Sequence, residues 1–265
     1  MNSIAYAFFL SSIAGLSTGI GSLITLFTKK TNTDFLAMSL GFSAGVMVYV
    51  SLVELMPQSQ QLLSLELGDK LGGVIAVGAF FIGMIIAGVI DKVLPEDRNL
   101  HEAKSFDRTH NLKTTDKSLM RTGVITAIAI TIHNFPEGLA TFISVMYDPK
   151  IALPIVLAIA LHNIPEGIAV AVPIYYATGN KRKASLLSFT SGLTEPLGAL
   201  IGYFILMPFL NGVVYGVLFA IVAGIMVFIS IDELLPSARE YGEHHLSVYG
   251  MVAGMIVMAI SLILL

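Results

Sequence analysis

Two short stretches hold most of the chain's reactive side chains: residues 133–138 read HNFPEG and residues 162–167 read HNIPEG. In each, an imidazole precedes a carboxylate by four residues. On a helix His133 with Glu137, and His162 with Glu166, therefore project from one face, with Asn134 and Asn163 flanking it. If the two helices pack together, two nitrogen and two carboxylate donors converge, which suits a tetrahedral or near-tetrahedral zinc ion. The amide oxygens of Asn134 and Asn163 offer a second, harder position beside it, which Glu137 and Glu166 could bridge. Glu195, in SGLTEP at residues 191–196, adds a carboxylate for that second position. The chain has no cysteine, so disulfides and thiolate ligands are excluded and nitrogen and oxygen must hold any metal. Such a site binds less tightly than a structural cysteine site, which fits a cargo that must be released.

The elements that position these residues must cross a bilayer. The 265 residues are 55% hydrophobic and 12% charged, with a mean hydropathy of +0.81, whereas about a quarter of the residues in a soluble domain are charged. A membrane helix needs about 20 mostly apolar residues. Stretches of that kind fall at residues 4–27, 35–56, 72–94, 122–146, 151–175, 184–208, 213–235 and 247–265, predicting eight spans. The first lacks the basic leader of a cleavable signal peptide and reads as a span. Connections are short except for a mixed-charge, cytoplasmic loop at about residues 91–121. The net charge of -3 is spread over short connections, so no basic face exists for a nucleic-acid partner. Thirteen of the 15 Lys and Arg residues fall on one side when loops are taken alternately, leaving Lys70 and Lys150 on the other. The positive-inside rule then puts both termini outside, in a multi-pass protein of the cell membrane.

Internal repeats refine this picture. Residues 44–57, AGVMVYVSLVELMP, match residues 223–236, AGIMVFISIDELLP, pairing spans 2 and 7. The two HNxPEG motifs pair spans 4 and 5. Each pair joins an odd-numbered span to an even one, so its members cross in opposite directions. The predicted fold is an all-α polytopic bundle, one transmembrane transporter domain over residues 1–265. Spans 1–3 are inverted against spans 6–8, and span 4 against span 5. In transporters of this type the binding site lies near the midplane between the repeats. A charge at a helix centre in the bilayer costs roughly 2.5–3.5 kcal/mol, so Glu137, Glu166 and Glu195 should face inward and bind something. Pro136 and Pro165 free the carbonyls of Ile132 and Leu161 beside the cluster and make the backbone deformable.

Other residues have a more peripheral place. Glu54 before Pro57, and Asp232 with Glu233 before Pro236, are candidate entrance and exit carboxylates on the outer and cytoplasmic sides respectively. His101, His110, His244 and His245 read as solvated surface residues. Glycines four apart, Gly15 with Gly19, Gly41 with Gly45, Gly198 with Gly202 and Gly250 with Gly254, read as close-packing faces. Such faces permit a homodimer without requiring one.

The paired motifs, the glutamate of the sixth span, the eight spans and the long charged connection resemble the ZIP (Zrt-, Irt-like protein) family of metal transporters along essentially the whole chain. The resemblance implies uptake of zinc into the cytoplasm, with iron, manganese, cobalt or cadmium as further substrates and no catalytic cofactor. It implies a binuclear centre, with His133, Glu137, His162 and Glu166 at the first metal position. Asn134, Glu137, Asn163, Glu166 and Glu195 would form the second. The long connection departs from the histidine-rich run of some members, since it holds only His101 and His110.

From the residues alone two other classes stay open. A His and carboxylate cluster could activate water in an intramembrane metalloenzyme, although the chain has no HExxH helix and no nucleophile beside a base. A passive metal-selective channel could use the same site.

Overall fold

In hydrocarbon a backbone must satisfy its own polar groups, and a helix does so within one segment. The computed structural model describes residues 3–27, 33–93, 116–241 and 244–264, and no strand occurs among them. Helix α1 is Ser3–Phe27, and α2, Thr33–Val50, runs through a π-helical turn, Ser51–Leu55, into α3, Met56–Leu67. Next come α4, Asp69–Val93, then α5, Asp116–Tyr147, and α6, Pro149–Thr178. The sixth span is α7, Lys181–Gly192, followed by α8, Thr194–Ile201, with a π turn, Gly202–Leu206, and a 3-10 turn, Met207–Phe209. Finally α9, Gly212–Ile229, passes through a π turn, Ser230–Leu234, into α10, Leu235–Tyr241, and α11, His244–Leu264, closes the chain. Among the described residues seven helical stretches are long and apolar enough to cross a membrane, and α5 holds the remaining predicted span, the fourth. The long connection, with His101 and His110, falls largely on residues 94–115, outside the described residues.

Turn chemistry sets the short connections. Gly68 and Gly179, at φ 83° and 64°, end α3 and α6 in the left-handed region that glycine tolerates. Asn180 and Asn211 then cap α7 and α9, accepting from the backbone N–H of Lys183 and Val214.

Two spans differ from expectation. The second continues to Leu67 rather than stopping near residue 56, because the polar stretch after Pro57 lowers hydropathy without lowering helix propensity. Leu62 and Leu63 in it are buried. The sixth is not one helix. Pro196 cannot donate to the carbonyl of Gly192 and would crowd it, and the chain breaks there at Leu193.

Inverted symmetry is visible in the packing. α2 lies along α11, and α4 along α9. A Cβ on Gly45 would stand 2.0 Å from the carbonyl of Met251, and one on Gly224 2.0 Å from that of Phe80. The reverse contacts match: Gly83 against Ile221 and Gly254 against Phe42, both at 2.1 Å. The paired glycine faces expected from the sequence are thus used inside the chain. The π turns repeat as well. Met56 N–H donates to the carbonyl of Ser51, and Leu235 N–H to that of Ser230. In each case a proline follows directly, and widening the preceding turn accommodates its missing donor and its ring.

A third repeat joins the first and sixth spans: residues 14–24, AGLSTGIGSLI, align with residues 191–201, SGLTEPLGALI. Gly15 and Gly192 face each other across the pseudo-twofold axis, where a Cβ on either would lie 2.3 or 2.2 Å from the other's carbonyl. Four elements therefore surround the centre: α1, α5, α6 and the broken pair α7 and α8, all mutually packed. The pairs α2 with α11 and α9 with α4 flank this group, α2 against α6 and α9 against α5.

Candidate metal centre

α5 and α6 pack together with their HNxPEG motifs at the crossing. Both helices continue through Pro136 and Pro165. The glycine after each glutamate lets a neighbouring backbone in: a Cβ on Gly138 would stand 1.9 Å from the carbonyl of Glu195, and one on Gly167 1.9 Å from that of Thr18. The glycines thus draw α8 and α1 onto the two sides of the site, where any larger residue would push them away.

Glu137, His162 and Glu166 each offer a ligand atom within 4.8 Å of the others, and all three are fully buried. His162 Nε2 lies 2.7 Å from Glu137 Oε1. Glu195 joins through Asn163, whose Nδ2 donates to its Oε1. His133 lies on α5, but its side chain is outside the described residues.

The asparagines are held in matching ways. Asn163 Nδ2 donates to the carbonyl of Ala14 at 3.0 Å, and Asn134 Nδ2 to that of Ser191 at 3.2 Å. Ala14 and Ser191 are themselves partners in the third repeat. Because a carbonyl only accepts, each amide turns its nitrogen outward. Asn134 Oδ1 and Asn163 Oδ1 are left buried, with no hydrogen-bond partner among the described residues. Buried amide oxygens are ordinarily satisfied, so these two atoms, on the same helices as Glu137 and Glu166, are candidate donors to a cation.

Two participants escape a motif search. Ser43 on α2 donates to Glu166 Oε1 at 3.2 Å, tying a flanking helix to the site. Ser188 on α7 donates to the carbonyl of Gly167 at 3.0 Å. Neither is titratable or placed at a ligand spacing. The third repeat was the available sequence signal for α1 and α7, and it is weakest at the positions that matter.

The peripheral carboxylates are not brought into this cluster. Glu54 lies in the first π turn, half-buried and accepting from Gln58 Nε2, well inside a helix that runs on to Leu67. Asp232 and Glu233 occupy the corresponding π turn before α10, also half-buried. His245 is exposed, its ring stacked near Tyr249. The side chain of His244 is outside the described residues.

Comparison with known proteins fits this arrangement. Residues 91–262 match the family described as ZIP zinc transporter, and the chain belongs to that family of membrane transporters. It is 59% identical over 258 residues to the zinc transporter ZupT of Streptococcus mutans, covering 97% of each chain. It is 54% identical over 277 residues to the ZupT of Clostridium perfringens, covering 100% of this chain and 97% of the other. It is 54% identical over 267 residues to the zinc transporter ZupT of Oceanobacillus iheyensis, covering 100% of each chain. Membership of a transporter family closes the metalloenzyme alternative.

Proposed function

We propose that this chain carries divalent metal ions, zinc foremost, into the cytoplasm through the centre between α5 and α6. The observation that carries this is electrostatic. Glu137, Glu166 and Glu195 are 0% exposed, while no Lys or Arg is buried among the described residues. Three carboxylates so deep call for positive charge, which a divalent metal ion in transit supplies. Zinc suits the imidazole and carboxylate donors of the first position, His133, Glu137, His162 and Glu166. The oxygen-rich second position, Asn134, Glu137, Asn163, Glu166 and Glu195, would take zinc and also the harder manganese, iron and cobalt.

Glu54 serves as the outer carboxylate and Asp232 with Glu233 as the cytoplasmic ones, each on a π turn that can shift register. Both termini face outward, the orientation that the distribution of Lys and Arg supports. A homodimer would have to use lipid-facing surfaces such as those of α4 and α11, because the paired glycine faces are occupied within the chain. Binding of zinc to purified protein, followed by calorimetry, tests the centre directly. The wild-type chain should bind two ions and Glu166→Gln fewer, and identical stoichiometry and affinity would overturn the binuclear centre.

A further inference from the structure

The third repeat sets Thr18 of α1 opposite Glu195 of α8. Both residues are 0% exposed, and their backbones have equivalent places, the carbonyl of Thr18 against Gly167 and that of Glu195 against Gly138. Their side chains differ in charge. Glu195 meets Asn163, and the symmetry mate of Asn163 is Asn134. Asn134 Oδ1 and Thr18 Oγ1 are both buried with no hydrogen-bond partner among the described residues.

A helical threonine commonly bonds the carbonyl four residues back, which Thr18, like Thr141, does not do among the described residues. Thr131 does so to Ala127 at 2.6 Å, and Thr178 to Ile174 at 2.7 Å. The Thr18 side chain lies instead beside the helix break that carries Glu195: its Cβ is 3.0 Å from the place a Cβ on Gly192 would take. A buried hydroxyl kept without a partner is unfavourable for folding alone.

We propose that Thr18 Oγ1 is a neutral oxygen donor to the metal held by Asn134, Asn163 and Glu195. It completes an oxygen-rich set and keeps the centre at three carboxylates where full twofold symmetry would give four. This rests on the metal-transport function proposed above. Ligand charge and rigidity tune affinity for hard cations, so a hydroxyl at this position favours release. A carboxylate there would retain the ion.

Manganese is the probe, because it prefers oxygen ligands and its bound fraction is read by electron paramagnetic resonance. Titrations use the purified full chain in detergent as wild type, Thr18→Val, Thr18→Ser and Asn163→Ala, each checked for monodispersity and thermal unfolding. The valine variant should unfold no lower than wild type and bind manganese about tenfold more weakly. Serine should keep wild-type affinity, and Asn163→Ala should also weaken. Serine weakening as much as valine would assign the effect to methyl packing and overturn the proposal. So would a valine variant that binds normally while Asn163→Ala does not, although the metal centre would then stand. Normal binding by both, or no manganese on the wild-type chain, would remove the oxygen-rich position and Thr18 with it.

Discussion

His162 Nε2 and Glu137 Oε1 stand 2.7 Å apart, a hydrogen-bonded pair of the two donor types that the proposed first metal position would use. Metal binding at such a pair displaces the proton. Glu137→Gln keeps the shape but removes the charge, and His162→Ala removes the nitrogen. Zinc uptake should fall at least about tenfold in either, measured in vesicles with matched protein content. Because glutamine also relieves a buried charge, the metal-free Glu137→Gln protein should unfold no lower than wild type. Zinc itself should stabilise the wild-type chain by about 2.7 kcal/mol at a hundredfold excess over its dissociation constant. In Glu166→Gln that stabilisation should shrink, as thermal unfolding with and without zinc will show. The convergence of Glu137, His162 and Glu166 could be read from the sequence because a candidate ligand set is written in residue types and helical spacing. Ser43 could not, since its bond to Glu166 joins residues 123 positions apart and depends on how α2 leans on α6.

At the scale of elements, the site depends on two close approaches. Gly138→Ala would place a Cβ against the carbonyl of Glu195, forcing α5 and α8 apart. Such overpacking typically costs 1–3 kcal/mol and should lower both the unfolding temperature and zinc uptake. Gly78→Ala on α4, where a Cβ meets nothing within 4 Å, should leave uptake unchanged and stabilise slightly. Hydropathy located the spans well, because a bilayer demands apolar length. It missed the break at Leu193, which arises from one proline acting on the carbonyl four residues earlier. It also stopped the second span early, since helix formation after Pro57 depends on propensity and on burial of Leu62 and Leu63 rather than on an apolar average. The π turns were not predicted either, but their occurrence in both halves at the same motif follows from Pro57 and Pro236.

For the whole molecule, the inverted repeats place one shared centre between two similar halves, so that small rearrangements could open it to either side in turn. The repeats at spans 2 with 7 and 4 with 5 were plain in the sequence because their motifs share 8 of 14 and 5 of 6 residues. The pairing of spans 1 with 6 follows from that of spans 2 with 7, but its own motif was not plain, because the halves diverge where chemistry is uneven, at Thr18 against Glu195 and Gly19 against Pro196. Orientation is testable, since the chain has no cysteine of its own. A single cysteine at exposed Leu65 should react with a membrane-impermeant maleimide added to intact cells, and one at exposed Arg182 only after lysis. The reverse pattern would invert the assignment of entrance and exit.

Transport through the buried carboxylate centre is tested by uptake of radiolabelled zinc into sealed proteoliposomes. Purified wild-type protein should give saturable accumulation down an imposed zinc gradient, with Glu137→Gln and His162→Ala near the protein-free background. Equal accumulation by wild type and both variants would show that zinc crosses elsewhere, and no accumulation by wild type would contradict transport itself.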